Sequence, residues 1–285
     1  MSRQRSAPMQ SLRGLKNKFS SPTHYRNLAL TTPRVHRSDL LTALNGVLQP
    51  EKFKDYGPNG LQVEGRADIA HLVSGVTASR ALIDAAIDAK ADAILVHHGL
   101  FWRGQDGTVT GWMKQRLQRL LQHDINLIAY HLPLDAHPEL GNNAQLAKLW
   151  GLDVVSSFGD QNLGLMGQRR DGQAFEHAQS LADAIAQTLG RSPTVVDVAR
   201  KPLQKIAWCS GGAQSYFEDA IAAGADAFIT GEISEPQAHL ARETGVAFLA
   251  CGHHATERYG APAVAAHVAQ RLGLTHQFID IDNPA

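Results

Sequence analysis

The sequence has few cysteines, no excess of either charge and no long apolar run. Only Cys209 and Cys251 occur among its 285 residues, too few for a disulfide framework, so we expect a reducing, cytoplasmic environment. Lysine plus arginine equals aspartate plus glutamate at 27 each, so no global field favours nucleic acid or an anionic membrane. No apolar stretch reaches the roughly 18–20 residues of a membrane-spanning helix. These absences favour a soluble globular chain, and its 44% hydrophobic residues supply ample material for a core.

The first 35 residues form a basic segment that contains no aspartate or glutamate. Its composition is similar to that of an organellar transit peptide, but it lacks the roughly 7–15-residue apolar stretch of a secretory signal. We interpret residues 1–35 as a basic disordered extension; the alternatives are a transit peptide and a start codon placed too early. We divide the remaining chain into a first α/β repeat over residues 36–160 and a second over residues 161–285.

From residue 36 onward, short apolar segments alternate with segments of helical periodicity. Ser38 is placed to cap a helix that continues through Leu48, and residues 56–60 (Tyr-Gly-Pro-Asn-Gly) have the composition of a turn. The predicted strands are 72–76, 93–96, 126–130, 205–209, 227–230 and 246–251. The further predicted helices are 79–88, 113–122, 214–223, 236–243 and 262–272. This alternation is typical of an α/β fold with largely parallel sheets.

The chain contains an internal repeat. Residues 91–96 (Ala-Asp-Ala-Ile-Leu-Val) match residues 225–230 (Ala-Asp-Ala-Phe-Ile-Thr). Each half also places a histidine four residues before a carboxylate that precedes a Gly-Leu pair by 16 residues: His131 with Asp135, and His253 with Glu257. A chance likeness of small apolar segments is the alternative, but the matched spacings favour a duplication. We therefore expect two similar halves that bring these side chains together.

His97 and His98 directly follow a buried apolar segment. Ligands of open α/β sheets bind at the carboxyl ends of the strands, and neutral imidazole is a common ligand of zinc, iron and nickel. A pair of hydrogen-bonded structural histidines is the alternative interpretation of this motif taken alone.

The two histidine–carboxylate segments favour the metal interpretation. If the second segment is helical, His253 and Glu257 share one face and can contact one ion, whereas His254 faces another way. Pro133 predicts a loop for the first segment, so Asp135 must approach by a different geometry. Either carboxylate could instead cap a helix, but such explanations for all the segments at once are less economical than one metal site.

Five candidate ligands exceed the three protein groups of an ordinary open zinc site: His97, His98, Asp135, His253 and Glu257. They suit two ions that share a carboxylate. Two such ions about 3.5–4 Å apart hold a bridging water and lower its pKa toward neutrality, which produces a hydroxide nucleophile. Hydrolysis is therefore the predicted reaction class.

Four further residues are weaker candidates for catalysis or substrate binding. We expect His131 to move protons or to support a ligand, although a ligand role is also open. Glu232 matches the histidine pair in the repeat and suits a base or a partner of a ligand; a solvated loop acid is the alternative. Trp102 and Arg103 suit a stacked base and a phosphate, and an exposed loop pair without a role is the alternative.

Four segments together resemble a known family. They are residues 56–65 (Tyr-Gly-Pro-Asn-Gly-Leu-Gln-Val-Glu-Gly), 96–99 (Val-His-His-Gly), 131–143 (His-Leu-Pro-Leu-Asp-Ala-His-Pro-Glu-Leu-Gly-Asn-Asn) and 252–258 (Gly-His-His-Ala-Thr-Glu-Arg). On these motifs, residues 36–285 are similar to the dinuclear-metal family called GTP cyclohydrolase 1 type 2 homologue, particularly its compact bacterial members linked with radiation resistance. By position, the resemblance implies the same five ligands and two divalent ions per chain, of Fe, Zn, Mn, Ni or Mg.

The resemblance implies two intertwined, duplicated α/β halves, each with a small mixed, mostly parallel sheet, in a ring-shaped homohexamer with metal sites facing inside. It implies hydrolysis of a small nucleotide-like substrate, by opening of the guanine ring of GTP or by hydrolysis of damaged nucleotides, a role connected with DNA damage. The alternative function is a non-enzymatic scaffold that binds or delivers metal or docks a partner protein. DNA binding by the basic extension and the interior of the ring is a third, weaker idea, which the neutral net charge opposes.

Overall fold

The computed structural model describes residues 33–198 and 202–285, so residues 1–32 of the predicted extension lie outside the described residues. The helices are α1 Arg37–Leu48, α2 Arg80–Asp88, α3 Gly111–Gln122, α4 Leu132–Ala136, α5 Asn142–Trp150, α6 Ala178–Leu189, α7 Phe217–Ala222, α8 Glu235–Thr244, α9 His253–Glu257 and α10 Gly260–Leu272. The strands are β1 Val35–His36, β2 Gly60–Val63, β3 Asp68–Ile69, β4 His71–Thr77, β5 Ala93–His98, β6 Asn126–Ala129, β7 Leu152–Phe158, β8 Gly164–Arg169, β9 Thr194–Val196, β10 Ile206–Trp208, β11 Ala227–Thr230, β12 Ala247–Ala250 and β13 Thr275–Phe278. No helix in these described ranges has the length and apolar character needed to cross a membrane.

The first large sheet has the strand order β13-β4-β5-β6-β2. Strands β13, β4, β5 and β6 are parallel, and β2 pairs antiparallel with β6. Successive side chains of a strand point to opposite faces, so the buried residues of β4 and β5 supply both faces of the sheet. Helices α1 and α10 cover one face, and α2 and α3 cover the other.

The second large sheet has the strand order β7-β8-β10-β11-β12-β9. Its three central strands, β10, β11 and β12, are parallel, and the outer strands pair antiparallel. Helices α5 and α6 pack on one face, and α7 and α8 pack on the other. Each sheet therefore has the same centre, three parallel strands buried between two layers of helix.

Segments of the chain cross between the two sheets. Strand β13, near the end of the chain, pairs with β4 in the first sheet, and β7 pairs with β8 in the second sheet although it precedes residue 160. The expected fold class, two intertwined α/β halves with mixed sheets, is confirmed. The boundary between repeats at residues 160 and 161 stays a prediction.

Asp92 and Asp226 hold matching positions at the beginning of β5 and β11. The Oδ2 atom of each accepts hydrogen bonds of 2.8–3.0 Å from two successive backbone N–H groups: Ala70 and His71 for Asp92, and Gln204 and Lys205 for Asp226. Each carboxylate thus ties one central strand to the beginning of its neighbour. The matched Ala-Asp-Ala segments of the sequence therefore have the same structural role in both halves.

Two local predictions are wrong. His36, rather than Ser38, is the N-cap of α1, and its ring accepts a hydrogen bond from the backbone N–H of Ser38 at 3.2 Å. Pro133 does not force a loop, because it stands in the first turn of α4, where a backbone N–H has no helical partner to lose. Asp135 therefore reaches the candidate site from a short helix.

Candidate metal centre

The predicted site residues lie where the central strands of both sheets end. His97 and His98 are the last two residues of β5, and helices α4 and α9 begin three residues after β6 and β12. Glu232 stands two residues after the end of β11. This edge of a parallel sheet is where ligands of α/β proteins bind, because the chain leaves a crevice beyond the strand ends.

His97 and His98 approach each other although they are neighbours in a strand. Their ring centroids are 4.5 Å apart and their planes are tilted by 43°. Nδ1–H of His97 donates to the carbonyl oxygen of Tyr130 at 3.2 Å, and Nδ1 of His98 shares a hydrogen bond of 3.0 Å with Oγ1 of Thr77. Each ring therefore has its Nε2 atom left for a ligand, and the partner on Nδ1 fixes the orientation of the ring.

Glu257 is the centre of the cluster, because its two carboxylate oxygens face different histidines. Oε1 lies 3.3 Å from Nε2 of His97. Oε2 lies 3.2 Å from Nε2 of His98 and 3.1 Å from Nε2 of His253. The four-residue spacing brings His253 and Glu257 to one face of α9. His254 instead forms a hydrogen bond with a carboxylate outside the cluster.

Asp135 reaches the cluster from α4. Its Oδ2 lies 3.5 Å from Nε2 of His97, and its Oδ1 accepts hydrogen bonds from Nδ2 of Asn142 and Oγ of Ser210, each at 2.9 Å. Because two donors occupy Oδ1, Oδ2 is the oxygen left for a ligand role. Oδ1 of Asn142 also accepts a hydrogen bond from the backbone N–H of Gly260 at 2.7 Å. Asn142 therefore connects Asp135 to the first residue of α10.

The cluster has the features of a site that could hold metal ions. Within the described residues, candidate ligand atoms lie within 4.8 Å of one another in three groups: His97, Asp135 and Glu257; His98, His253 and Glu257; and His97, His98 and His131. Nε2 of His97 and Oε2 of Glu257 are buried, and neither has a hydrogen-bond partner of normal geometry in the described ranges. Buried polar atoms are normally satisfied, and metal ions bound in the cluster would satisfy both atoms.

The separations between the ligand atoms support the same conclusion. The distances of 3.1–3.5 Å between the histidine nitrogens and the carboxylate oxygens suit atoms that share an ion through bonds of about 2.0–2.2 Å. All five predicted ligands belong to these groups, and so does His131. The residues present therefore fit a metal site, while the assignment of individual ligands and the number and identity of the ions stay predictions.

The buried carboxylate of Glu257 makes the cluster attractive to positive charge. Burial disfavours a charged imidazole, but Asp135 and Glu257 outweigh it and raise the pKa of His97 to about 9. Burial dominates at His98 and lowers its pKa to about 3. Burial opposes ionisation of Glu257, yet the neighbouring histidines hold the pKa of its carboxyl well below the ordinary value. Glu257 is therefore negatively charged at the centre of the cluster, which a divalent cation would neutralise.

Two further carboxylates stand behind histidines of the site. Oε1 of Glu232 lies 2.7 Å from Nδ1 of His253, and Oδ1 of Asp55 lies 2.7 Å from Nδ1 of His131. Such partners orient an imidazole and leave its other nitrogen for a ligand or a substrate. The catalytic roles of His131 and Glu232 stay predictions.

A cavity of about 390 Å³, here called the front cavity, opens at the cluster. Its wall contains side chains of the cluster and three aromatic residues, Tyr56, Trp102 and Tyr216. The ring centroid of Trp102 is 5.0 Å from that of His131. Arg103 is exposed and does not line the cavity; its guanidinium carbon lies 5.4 Å from the ring centroid of Tyr56. The structure therefore places Trp102 in the wall of the front cavity and Arg103 on the surface outside it.

Sequence reasoning missed three residues that hold the site together: Asp55, Asn142 and Ser210. Asp55 precedes the predicted turn at residues 56–60, but its partner His131 is 76 residues away. Asn142 is the first residue of α5 and is fully buried. Its burial could not be predicted, because polar residues at the beginning of a helix are usually exposed. Of the three, only Ser210 has a signal in the sequence that could have identified it. It matches Ser74 in the repeat, and it follows a central strand of the second sheet.

Comparison with known sequences agrees with the resemblance found in the motifs. Residues 35–284 match the family model Duf34/NIF3 (NGG1p interacting factor 3). The chain is 53% identical over 251 residues to a GTP cyclohydrolase 1 type 2 homolog of Neisseria meningitidis serogroup A, a match that covers 88% of this chain and 100% of the relative. It is 50% identical over 252 residues to a protein of the same name from Pseudomonas aeruginosa, covering 87% of this chain and 98% of the relative.

Solved structures show the same fold. One, described as protein ybgI of unknown function, superposes with a TM-score of 0.84 at 46% identity and covers 88% of this chain and 100% of that chain. Another, from Thermus thermophilus, gives a TM-score of 0.80 at 34% identity with the same coverage of 88% and 100%. The motifs, the family match over nearly all of the described chain and these structures agree, and the chain belongs to the DUF34/NIF3 family.

Proposed function

We propose that the chain is a hydrolase that uses two divalent metal ions and that its substrate is a nucleotide or a related purine compound. The observation that carries this proposal is the Glu257 carboxylate, which has one oxygen beside His97 and the other beside His98 and His253. A carboxylate in this arrangement suits a bridge between two ions. One ion would be held by His97, Asp135 and Glu257, and the other by His98, His253 and Glu257.

Two bound divalent ions would supply an acidified water and positive charge beside the oxyanion of the transition state. The side chains of the protein would orient the reacting groups. Asn142 and Ser210 hold Asp135 so that Oδ2 is available, and Glu232 holds His253 through Nδ1. The His131 ring lines the front cavity, where its Nε2 can hold the proton of a water or substrate hydroxyl.

The front cavity supports a small planar substrate. Its volume of about 390 Å³ lies within the range of about 300–1,000 Å³ typical of small-molecule sites. Tyr56, Trp102 and Tyr216 offer aromatic surface against which a purine can stack. Arg103 lies outside the cavity beside Tyr56, where it can pair with a phosphate that extends from the cavity. The name that the relatives carry, GTP cyclohydrolase 1 type 2 homolog, makes GTP the first compound to test.

We also propose a homohexameric ring with the metal sites facing inside, a cytoplasmic location and damaged nucleotides as a second substrate class. These proposals rest on the resemblance to the family. Sedimentation equilibrium of the full chain tests the assembly, because a hexamer has six times the chain mass of 30.8 kDa. A monomer or dimer at micromolar concentration would contradict it.

Elemental analysis and hydrolysis assays on chelator-free protein test the main proposal. Glu257→Gln removes the shared charge at nearly constant size, and Glu235→Gln is the matched control, because Glu235 is exposed and pairs with His239 on the surface. We expect about two ions per chain in the wild type and in the control. We expect Glu257→Gln to lose most of the metal and about 100-fold or more in turnover of GTP.

The product identifies the bond that is attacked. Formate release from GTP indicates attack at a ring carbon, and release of phosphate or of a nucleoside monophosphate indicates attack at phosphorus. Glu257→Gln turning over GTP at the wild-type rate would contradict the proposal. About two ions per chain with no product from GTP or 8-oxo-dGTP would instead favour the metal-binding scaffold.

A further inference from the structure

Asp55 is a buried carboxylate that collects four hydrogen bonds beside the site. Its side chain is only 4% exposed. Oδ1 accepts hydrogen bonds from Nδ1–H of His131 and from the backbone N–H of Tyr56, each at 2.7 Å. Oδ2 accepts from Nδ2 of Asn59 and from the backbone N–H of Leu132, each at 2.9 Å. Asp55 therefore fixes the turn that carries Tyr56 against the beginning of α4.

A carboxylate suits this position because all four partners are donors. An ionised Asp55 accepts at both oxygens, whereas an asparagine would place an NH₂ group against two of the donors. The backbone N–H groups of Tyr56 and Leu132 cannot become acceptors, and the Asn59 amide is held in place because its Oδ1 accepts a hydrogen bond from the backbone N–H of His131 at 2.8 Å. A neutral imidazole, by contrast, can carry its proton on either nitrogen. His131 is therefore the partner whose hydrogen-bonding state depends on the carboxylate. Of the two neutral tautomers, only the one with the proton on Nδ1 donates to Asp55.

His131 lies between Asp55 and the metal cluster. Its ring lines the front cavity, and its centroid is 4.9 Å from that of His97 and 5.7 Å from that of His98. When Nδ1 carries the proton, Nε2 carries a lone pair. His131 then offers a hydrogen-bond acceptor beside both candidate ion positions. His97 belongs to the ligand group that contains Asp135, and His98 belongs to the group that contains His253.

The second half of the chain repeats this arrangement. His253 holds the repeat position of His131, and Oε1 of Glu232 lies 2.7 Å from its Nδ1. There the Nε2 atom of the ring lies 3.1 Å from Oε2 of Glu257, so a carboxylate on Nδ1 accompanies an Nε2 that faces the cluster. The side chain of Glu232 is 45% exposed, against 4% for Asp55. The Asp55–His131 pair is therefore better shielded from water, and a hydrogen bond shielded from water is electrostatically stronger.

We propose that Asp55 is a positioning residue that fixes the Nδ1–H tautomer of His131, so that Nε2 accepts a hydrogen bond from the attacking water or the substrate. This inference rests on the proposed hydrolase function. In a serine-protease triad, replacing the aspartate behind the catalytic histidine by asparagine presents the wrong tautomer and lowers kcat about 10⁴-fold. Asp55→Asn is expected to act in the same way, because an NH₂ group that donates to Nδ1 leaves the imidazole proton on Nε2.

The tautomer of His131 tests the inference directly. The measurement is ¹⁵N NMR of the full chain, labelled at histidine and loaded with Zn²⁺, with a His131→Gln variant to identify the His131 signals. The wild type is expected to show a protonated Nδ1 and an unprotonated, metal-free Nε2, and Asp55→Asn is expected to show the reverse. A wild-type His131 with its proton on Nε2, or with zinc on Nε2, would overturn the inference. The wild-type spectrum alone therefore tests the inference, even if Asp55→Asn does not fold.

Kinetics with GTP separate positioning from metal loss. Asp55→Asn is expected to lower kcat about 100-fold or more, with KM changed less than about threefold and the zinc content unchanged. The double variant Asp55→Asn/His131→Gln is expected to be no slower than His131→Gln alone, because both changes act through one ring. Glu235→Gln, which removes the carboxylate from the exposed His239, is the matched control and should match the wild type.

The outcomes distinguish this inference from the proposed function. Asp55→Asn with the wild-type kcat, or with zinc lost in proportion to activity, would overturn the positioning role. Zinc-loaded wild type that releases no formate, phosphate or nucleoside monophosphate from GTP would count against the hydrolase proposal for this compound. In that case the tautomer measurement still supports or overturns the role of Asp55 at His131.

Discussion

Gly211 lies so close to Glu257 that a β-carbon at position 211 would collide with Oε1 of the carboxylate. Its φ of +67° also lies in the left-handed region that favours glycine. The backbone N–H of Gly211 donates to Oγ1 of Thr256 at 2.9 Å, so the loop after β10 packs directly on α9. Glycine at this position thus allows the second sheet to close around the central carboxylate of the cluster.

Gly211→Ala is therefore expected to weaken metal binding without removing any candidate ligand. The added methyl group displaces Glu257, and the positive φ costs about 1–2 kcal/mol of unfolding free energy for a residue with a side chain. Elemental analysis and denaturant unfolding measure the two effects. Gly212→Ala is the matched control, because a β-carbon there would make only ordinary contacts of 3.5 Å with Glu232 and His253. Equal metal contents in the two variants would contradict this account of Gly211.

Removing the donors that hold Asp135 is expected to weaken metal affinity. Asn142→Ala and Ser210→Ala each remove one of the two donors to the Oδ1 atom of Asp135, and loss of such supporting hydrogen bonds typically costs about 10–100-fold in affinity. Asn142→Ala should have the larger effect, because Asn142 also accepts from the backbone N–H of Gly260. Competition with a chelator measures the affinities, with Ser156→Ala on exposed β7 as the control. Affinities unchanged from that control would rule out a role for these donors.

Central strands such as β5, β11 and β12 could be predicted from the sequence because each contains a short apolar run. The predicted strand at 227–230 coincides with β11, and that at 93–96 differs from β5 only by the two histidines that end it. Strand β7 could not be predicted, because its five inner residues are exposed and its pairing with β8 needs no apolar run. Helix α4 was missed because Pro133 reads as a break unless it is known to stand in a first turn.

The candidate ligands could be predicted from the sequence because each follows a central strand and the repeat relates two of the segments. Their supporting residues could not, because hydrogen bonds across 76 residues (Asp55 to His131) or 75 residues (Ser210 to Asp135) have no local signal. Sequence spacing identifies side chains that share an element. It does not identify a donor that another part of the fold brings to a ligand.

Asp92 and Asp226, which hold matching positions in the two sheets, are expected to affect stability rather than metal binding. Asp226→Ala would leave the backbone N–H groups of Gln204 and Lys205 without this acceptor, at a cost of about 1–3 kcal/mol of unfolding free energy. The midpoint of denaturant unfolding should fall, and the metal content per folded chain should not change. Asp183→Ala on the exposed face of α6 is the control. A loss of metal in Asp226→Ala without a shift in the midpoint would contradict a purely structural role.

Cys209 lines the front cavity and is nevertheless expected to react slowly with thiol reagents. Burial raises the pKa of its thiol above the ordinary value and nearby Asp135 raises it further, so the reactive thiolate is scarcer at pH 8 than for an exposed cysteine. With dithionitrobenzoate at pH 8, the native chain should react at least about tenfold more slowly than the chain unfolded in guanidinium. The rate should increase as the pH is raised, because the thiolate fraction increases toward the raised pKa. A Cys209→Ser variant separates its contribution from that of Cys251, whose thiol pKa burial also raises. Native Cys209 reacting as fast as in the unfolded chain would mean that the thiol beside Asp135 is ionised and accessible, contrary to the packing of this wall of the cavity.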